Sequence, residues 1–306
     1  MRIVRGLESA PPDAGPSAVA LGTFDGVHLG HRAILGTALA RAREVGIEAV
    51  ACTFDPHPME VLQPDRAPRP ITALDERLRL IGETGVDAVV VLSFTRELAA
   101  IEPEAFVKDV LLDRLHAREI VVGYNHRFGR GARGDARLLE ELAGRLGFRA
   151  HVVPPMTVDG EAVSSTGIRA ALQRGDVAAA ARGLGRPYAI TGTVTSGAGR
   201  GRTLGFPTAN IAASGAVLVA RGVYRGRVAV DREEHAAVVN VGVRPTFAET
   251  VLAVEAHLLD FSGDLYGRSV RLDFLDRLRD EMRFASVDDL KAQIARDVAA
   301  ARSRVE

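Results

Sequence analysis

Several things are scarce in this 306-residue chain, and each scarcity excludes something. A single cysteine, Cys52, rules out an internal disulfide; in the apolar stretch EAVACTF it reads as a small buried hydrophobe, which fits a reducing compartment. Lysine occurs only at Lys108 and Lys291, and neither lies in the Gly-x-x-x-x-Gly-Lys frame of a P-loop. Phosphate chemistry, if present, must do without that lysine. Both lysines sit in polar helix-like segments, which argues against a Schiff-base role. Net charge is missing too, since 39 basic residues balance 39 acidic ones. No overall field draws the molecule onto nucleic acid or an anionic membrane, so binding is expected at local sites. The opening MRIVRGLESAPPD lacks the apolar core of a signal peptide, and no later run approaches the ~20 apolar residues of a bilayer span. A cytoplasmic protein is the expectation.

What is present falls into two patterns. Short β-branched runs alternate with helix-period segments from Ser17 to about Val153, as in βαβ units building a parallel sheet. The expected strands are SAVALG (17–22), EAVACTF (48–54), DAVVVLSF (87–94), EIVVGY (119–124) and RAHVV (149–153). Helices are predicted after the first strand, with Ile34, Leu35, Ala38, Leu39 and Ala42 on one face and Gly46 as the stop, and over 75–85 and 103–116. The Gly- and Arg-rich RFGRGARGD (127–135) reads as a mobile loop.

From Tyr188 onward the apolar residues alternate instead, as in GVYRGRVAV (222–230) and RSVRLDF (268–274), which predicts an antiparallel barrel or sandwich. A terminal helix is expected with Ser286 as cap, Asp289 completing a capping box, and Val287, Leu290, Ile294 and Val298 as the buried stripe. Length alone favours two domains. The change of pattern near RGLGRPY (182–188) sets the expected boundary, giving domains 1–185 and 186–306.

Two clusters carry candidate chemistry. TFDGVHLGH (23–31) follows the first strand and leads into a helix, where backbone N–H groups and the helix dipole favour an anion. Gly22, Gly26 and Gly30 allow close backbone approach, and His28 and His31 add donors for charge on a phosphate. Asp25, His28 and His31 fall short of the ligand set of a closed zinc site; capping and packing by the two histidines is the bland alternative. The second cluster is GRTLGFPTAN (201–210), where Gly197, Gly199, Gly201 and Gly205 give a flexible cradle. Thr208 and Asn210 place two neutral oxygens on one side of an extended segment, which suits Mg²⁺ held mainly by nucleotide phosphates and water. A glycine-rich hairpin with Asn210 in its turn is the alternative.

GTFDGVHLGH contains His28-Leu29-Gly30-His31, which resembles the His-x-Gly-His signature of Rossmann-like nucleotidyltransferases. The likeness narrows to the bacterial bifunctional riboflavin kinase and FAD synthetase family and runs along the whole chain, through TFDPHP (53–58), VVGYNHRFG (121–129), SSTGIRAAL (164–172), GRTLGFPTANI (201–211), NVGVRPTF (240–247), VEAHLLDF (254–261) and LRDEMRFAS (278–286). It implies a Rossmann-like adenylyltransferase domain followed by a riboflavin kinase barrel with a terminal helix. His28 and His31 then act in adenylyl transfer, with Gly22, Thr23, Phe24, Asp25, Gly26, Asn125, Ser164, Ser165, Thr166 and Arg169 binding ATP. Phe54, Pro56, His57 and Pro58 line the flavin side. In the kinase half, Glu255 is the implied catalytic base, Gly201, Thr208 and Asn210 hold ATP and Mg²⁺, and Arg279, Glu281 and Phe284 lie near the isoalloxazine. His257 either orients Glu255 or packs.

Two positions depart from the family pattern: Thr23 stands where asparagine is usual, and His126 where an aromatic is usual. The implied partners are riboflavin, FMN, FAD and ATP, with no nucleic acid and no membrane; monomer and weak homo-oligomer both stay open. Two other readings also stay open. One is an adenylyltransferase for a different phosphate substrate with a merely binding barrel, and the other is a flavin or nucleotide sensor without turnover.

Overall fold

The computed structural model describes residues 1–9, 15–196, 201, 204–213, 215–231, 233–245 and 250–303. The chain divides into two compact units, Met1–Ser165 and Thr166–Glu306.

The first unit is built on a six-stranded parallel sheet. Its strands are β1 (Arg2–Arg5), β2 (Ser17–Leu21), β3 (Glu48–Asp55), β4 (Ala88–Ser93), β5 (Ala117–Gly123) and β6 (Arg149–Val153). They lie in the order β1-β4-β3-β2-β5-β6, and a short antiparallel pair, β7 (Thr157–Val158) and β8 (Glu161–Ala162), follows them. Both faces are covered over the inner strands, which is why β2, β3 and β4 read as nearly unbroken apolar runs. One face carries Leu21, Cys52, Phe54, Val90, Phe106 and Phe128. The other carries Ala20, Phe24, Leu35, Ala51, Leu78 and Val121.

The helices are α1 (Leu29–Val45), α2 (Pro58–Leu62), α3 (Leu74–Gly82), α4 (Arg96–Ala99), α5 (Pro103–Ala105) and α6 (Ala136–Leu146). Gly46 ends α1 in the left-handed region at φ 70°, with its N–H bonded to the Ala42 carbonyl. The sheet grows from β2 in both directions, toward β3 on one side and β5 on the other. The carboxyl ends of β2 and β5 therefore flank the switch point where open α/β sheets bind ligands.

The second unit begins with α7 (Ser165–Arg174, its first residue still in the first unit) and α8 (Val177–Leu184). Six strands follow: β9 (Tyr188–Thr195), β10 (Ala209–Ala213), β11 (Gly222–Val230), β12 (Glu233–Pro245), β13 (Thr250–Leu258) and β14 (Ser269–Arg279). All pair antiparallel and close into a barrel in the order β10-β13-β12-β11-β14-β9. Alternation sends one set of side chains inward. Tyr188, Ile190, Tyr224, Val228, Val239, Val241, Val254, Leu272 and Phe274 fill the interior, each at most 2% exposed. The helix α9 (Val287–Arg302) packs on the outer wall through Ala301 and Val298 against Val223, Val238 and Leu259.

The expected strands of the first unit are all present, and β1 joins them as an edge strand paired to β4. Some expectations need correction. The helix predicted over 103–116 is α5 followed by a π-helical stretch, Phe106–Leu112; the wider turn keeps Phe106, Val107, Val110 and Leu111 all in the core. Segment 127–135 is tied down rather than loose. Phe128 and Gly134 exchange backbone hydrogen bonds of 3.0 and 2.9 Å, and Arg130 and Arg133 pair with Glu102. Helix α9 starts at its expected Ser286 cap, whose hydroxyl accepts from the Asp289 N–H and donates to its carboxylate. Of its expected stripe, Leu290, Ile294 and Val298 are half-buried and Val298 packs on the barrel, but Val287 is 57% exposed, and Asp297 and Ala301 are the fully buried positions of that face. A buried ion pair shares this face: the Arg279 guanidinium grips the Asp297 carboxylate with contacts of 2.8–3.1 Å.

Candidate active sites

The loop after β2 is held in a shape that most residues resist. Phe24 and Val27 have φ of 50° and 40° and are buried, so packing pins them in the left-handed region. Gly26, at φ 82°, lies so close to Ile71 that an added Cβ would meet that side chain at 3.1 Å. Asp25 is 1% exposed, and its carboxylate accepts from the backbone N–H groups of Ile71 and Thr72. The Gly26 N–H donates to the Thr72 hydroxyl at 3.2 Å. Asp25 thus anchors the loop, and Phe24 packs edge-on beneath the His31 ring, 5.5 Å between centroids.

His28 caps α1. Its Nδ1 accepts from the His31 backbone N–H at 3.3 Å, so the neutral ring carries its proton on Nε2. The two imidazoles stack 3.6 Å apart. An added Cβ at Gly30 would sit 3.1 Å from the His28 ring, which explains the glycine between them. Burial, then the neighbouring His28 and Arg77 charges, hold His31 well below the usual imidazole range. His31 is therefore neutral at physiological pH, and its Nδ1 is buried with no protein partner.

Ser165 joins the loop, its hydroxyl donating to the Asp25 carbonyl at 3.0 Å, with Ser164 next to it in sequence. Thr166 and Arg169 follow on α7 within the second unit. Asn125 lies just beyond β5; its Oδ1 and Ile34 of α1 both approach the Gly123 Cα, on which a Cβ would meet them at 3.6 and 3.2 Å. On the β3 exit, Phe54 packs edge-on against Phe94 at 5.6 Å. His57 caps α2 through Nδ1, which accepts from the Met59 N–H, while Pro56 and Pro58 flank it. His126 stacks toward Phe128, 6.0 Å between centroids, and burial pushes its pKa down to about 4. Its Nε2 is buried without a partner.

Arg77 is a residue that the sequence reading did not single out. Carried on α3 and 4% exposed, it donates to the carbonyls of Thr23 at 3.1 Å and Phe54 at 2.9 Å. Burial lowers its pKa, against the raising effect of Asp25, Asp55 and Glu60.

On the barrel, strand register assembles the second cluster. Asn210 of β10 lies directly across from Glu255 of β13, and Glu255 directly across from Asn240 of β12. Directly paired residues share a face, and their alternation with the interior set puts this row on the outer wall. Asn240 is a second residue that the sequence reading passed over. Thr208 has the same parity as Asn210. Gly201 lets the chain fold back here: a Cβ on it would lie 2.4 Å from the Phe206 carbonyl oxygen and 3.0 Å from the Thr208 hydroxyl. Gly197 and Gly199 lie outside the described residues.

His257 packs, as one of its two expected roles required. Its ring meets Phe206 edge-on at 5.6 Å, and its Nδ1 lies 2.8 Å from the Pro207 carbonyl oxygen. Gly242 leaves room for Glu281, whose Oε1 would be 2.4 Å from an added Cβ, with the Asn240 amide nitrogen at 3.2 Å from the same point. Arg279 stacks over Phe284 at 5.9 Å while it grips Asp297. Register and packing therefore bring Glu281 beside the row that contains Glu255.

Among the described residues, no group of three or more His, Cys, Asp or Glu side chains is placed to hold a metal. Thr208 and Asn210 offer neutral oxygens beside a glycine-lined fold, a donor set that fits a divalent cation arriving with ATP phosphates. No helix among these residues is long and apolar enough to cross a membrane.

Comparison with known proteins agrees with both halves. A family model described as FAD synthetase matches residues 10–167, and one described as riboflavin kinase matches 184–305. The bifunctional riboflavin kinase/FMN adenylyltransferase of Escherichia coli K12 is 39% identical over 305 residues, covering 99% of this chain and 97% of its own. That of Pseudomonas fluorescens is 40% identical over 304 residues, with the same coverage. A crystal structure of a Streptococcus pneumoniae protein, described as a macrolide-efflux protein, superposes with a TM-score of 0.90 at 30% identity over 99% of both chains. With two family models in tandem and relatives matched from end to end, the chain belongs to the bifunctional riboflavin kinase/FMN adenylyltransferase family, which converts riboflavin to FMN and FMN to FAD.

Proposed function

We propose that the two reactions run at separate sites, adenylyl transfer in residues 1–185 and phosphoryl transfer in residues 186–306. One observation carries this reading: the His28–His31 pair lies wholly in the first unit, and the Asn210–Glu255 pair wholly in the second.

For adenylyl transfer, the ATP phosphates lie against the start of α1, where unpaired N–H groups and the helix dipole favour an anion. A phosphate oxygen of FMN attacks the α-phosphorus of ATP, the bond to pyrophosphate breaks, and pyrophosphate leaves. His28, with its N–H on Nε2, and His31 donate to the charge that develops on the phosphates. Gly22, Thr23, Gly26, Asn125, Ser164 and Ser165 complete the nucleotide site within the first unit, with Phe24 and Asp25 holding the loop. Phe54, Pro56, His57 and Pro58 give the flavin a flat, rigid wall.

For phosphoryl transfer, Glu255 accepts the proton of the ribityl 5′-hydroxyl as that oxygen bonds the γ-phosphorus and ADP departs. Thr208 and Asn210 would hold Mg²⁺, which supplies charge neutralisation on the phosphates when bound. Arg279, Glu281 and Phe284 border the isoalloxazine. Neither step needs a covalent enzyme intermediate, since alignment and charge stabilisation suffice. The location in this reading is cytoplasmic, with monomer and weak homo-oligomer both open.

Single substitutions in the full chain test the map. Glu255→Ala is expected to stop FMN formation from riboflavin and leave conversion of supplied FMN to FAD; His28→Ala is expected to do the reverse. Loss of both steps from either change, in a chain with a wild-type circular dichroism spectrum, contradicts the two-site assignment.

A further inference from the structure

We propose that Arg77 is a positioning residue for adenylyl transfer, a buried clamp that fixes the phosphate loop after β2 relative to the β3 exit. The inference rests on the assignment of His28 and His31 to that reaction.

Main-chain pairing between β2 and β3 ends at the Gly22 N–H to Cys52 carbonyl bond, 3.1 Å. Beyond it the two strand exits part, one toward the His28 loop and the other toward Phe54-Asp55-Pro56. Side chains take over the connection. The Thr23 carbonyl accepts from the Thr53 hydroxyl at 3.0 Å and from the Arg77 guanidinium at 3.1 Å. The same guanidinium reaches the Phe54 carbonyl at 2.9 Å and lies 3.6 Å from the Asp55 carboxylate. One rigid fork thus spans both exits, which a lysine's single ammonium does not reproduce. The segment before Arg77 is itself locked to the loop through Asp25 and Thr72.

A guanidinium 4% exposed is costly to bury unless its bonds are specific. Here they end on two main-chain carbonyls, one at the phosphate side and one at the flavin side. Reacting groups held on these two exits lose rate steeply when their spacing drifts. The fork adds a second effect through charge. His31 is faced by His28 from the loop and by Arg77 from α3, with the Phe24 ring edge-on, and both charges disfavour its protonation.

The test uses Arg77→Met and Arg77→Lys in the full chain, with both reactions assayed. Arg77→Met is expected to lower kcat for FMN adenylylation about 100-fold. The KM for ATP should change less than about threefold and riboflavin phosphorylation less than about twofold, the split expected when spacing rather than binding is lost. Arg77→Lys should lose at least about tenfold in the same kcat. The acid limb of adenylylation should move to higher pH in Arg77→Met and stay in place in Arg77→Lys, a difference that simple loss of a brace does not produce. Wild-type kcat in Arg77→Lys overturns the proposal. So does a kcat loss in both variants that matches the loss of folded protein. Should Arg77→Met fail to fold, the Lys variant still decides the clamp. His28→Ala, run alongside, separates the premises: if it retains adenylylation, the site assignment fails irrespective of Arg77.

Discussion

His126 shows how one side chain carries both a departure and a measurable consequence. Its imidazole is held at a pKa of about 4 by burial, whereas in the unfolded chain it titrates near its ordinary value of about 6.5. Between those pH values the unfolded state binds a proton that the folded state refuses, so stability falls as pH drops from about 6.5 toward 4 and levels off below. The full effect is on the order of 3 kcal/mol. His126→Phe removes the titrating group, and its unfolding temperature is expected to be less pH-dependent over that window than wild type; equal slopes by calorimetry contradict this. Cys52, by contrast, is chemically quiet. Burial pushes its thiol up to about 12, and Cys52→Ala should abolish nothing but some packing, with slow or no labelling by thiol reagents in the native wild-type chain.

At the scale of elements, the Arg279–Asp297 pair ties α9 to the end of β14. Asp297→Ala leaves a guanidinium only 18% exposed without its partner and is expected to destabilise the second unit by about 3 kcal/mol. Arg279→Leu combined with Asp297→Leu should cost less, because no charge is then stranded. Calorimetric unfolding of the three chains checks the order. The same pair marks where the sequence stopped being readable. Apolar periodicity identified α9, its cap and most of its packed stripe, but Asp297 on the same face is a carboxylate buried against a distant strand, and periodicity does not register that.

The strands β2 to β5 were readable because burial on both faces makes their central residues apolar. The edge strand β1 was not: RIVR is short and charged at both ends. His28, His31 and Asn210 sit in local patterns that announce them. Arg77 does not, because its meaning lies in two carbonyls that other strands supply. Asn240 was hidden for a related reason, since only the register of β12 against β13 sets it beside Glu255.

For the whole molecule, two units with separate clusters predict two nucleotide sites. Titration calorimetry with a non-hydrolysable ATP analogue and Mg²⁺ is expected to give two equivalents for the intact chain and one for either His28→Ala or Asn210→Ala. A stoichiometry of one in the wild-type chain means that a single site serves both reactions. Unfolding should likewise show two transitions rather than one, as expected for multidomain proteins.

The closed barrel of the second unit is packed solid with Tyr188, Tyr224, Phe274 and their aliphatic neighbours. Such a lumen leaves no room for a flavin, and the proposed kinase site accordingly lies on the skin of the drum. Durability and selectivity are thereby assigned to opposite sides of every strand. Conservative exchanges at inward positions should alter heat resistance while sparing turnover, and alternating residues of the same strands can be redesigned for new alcohols without reopening the core.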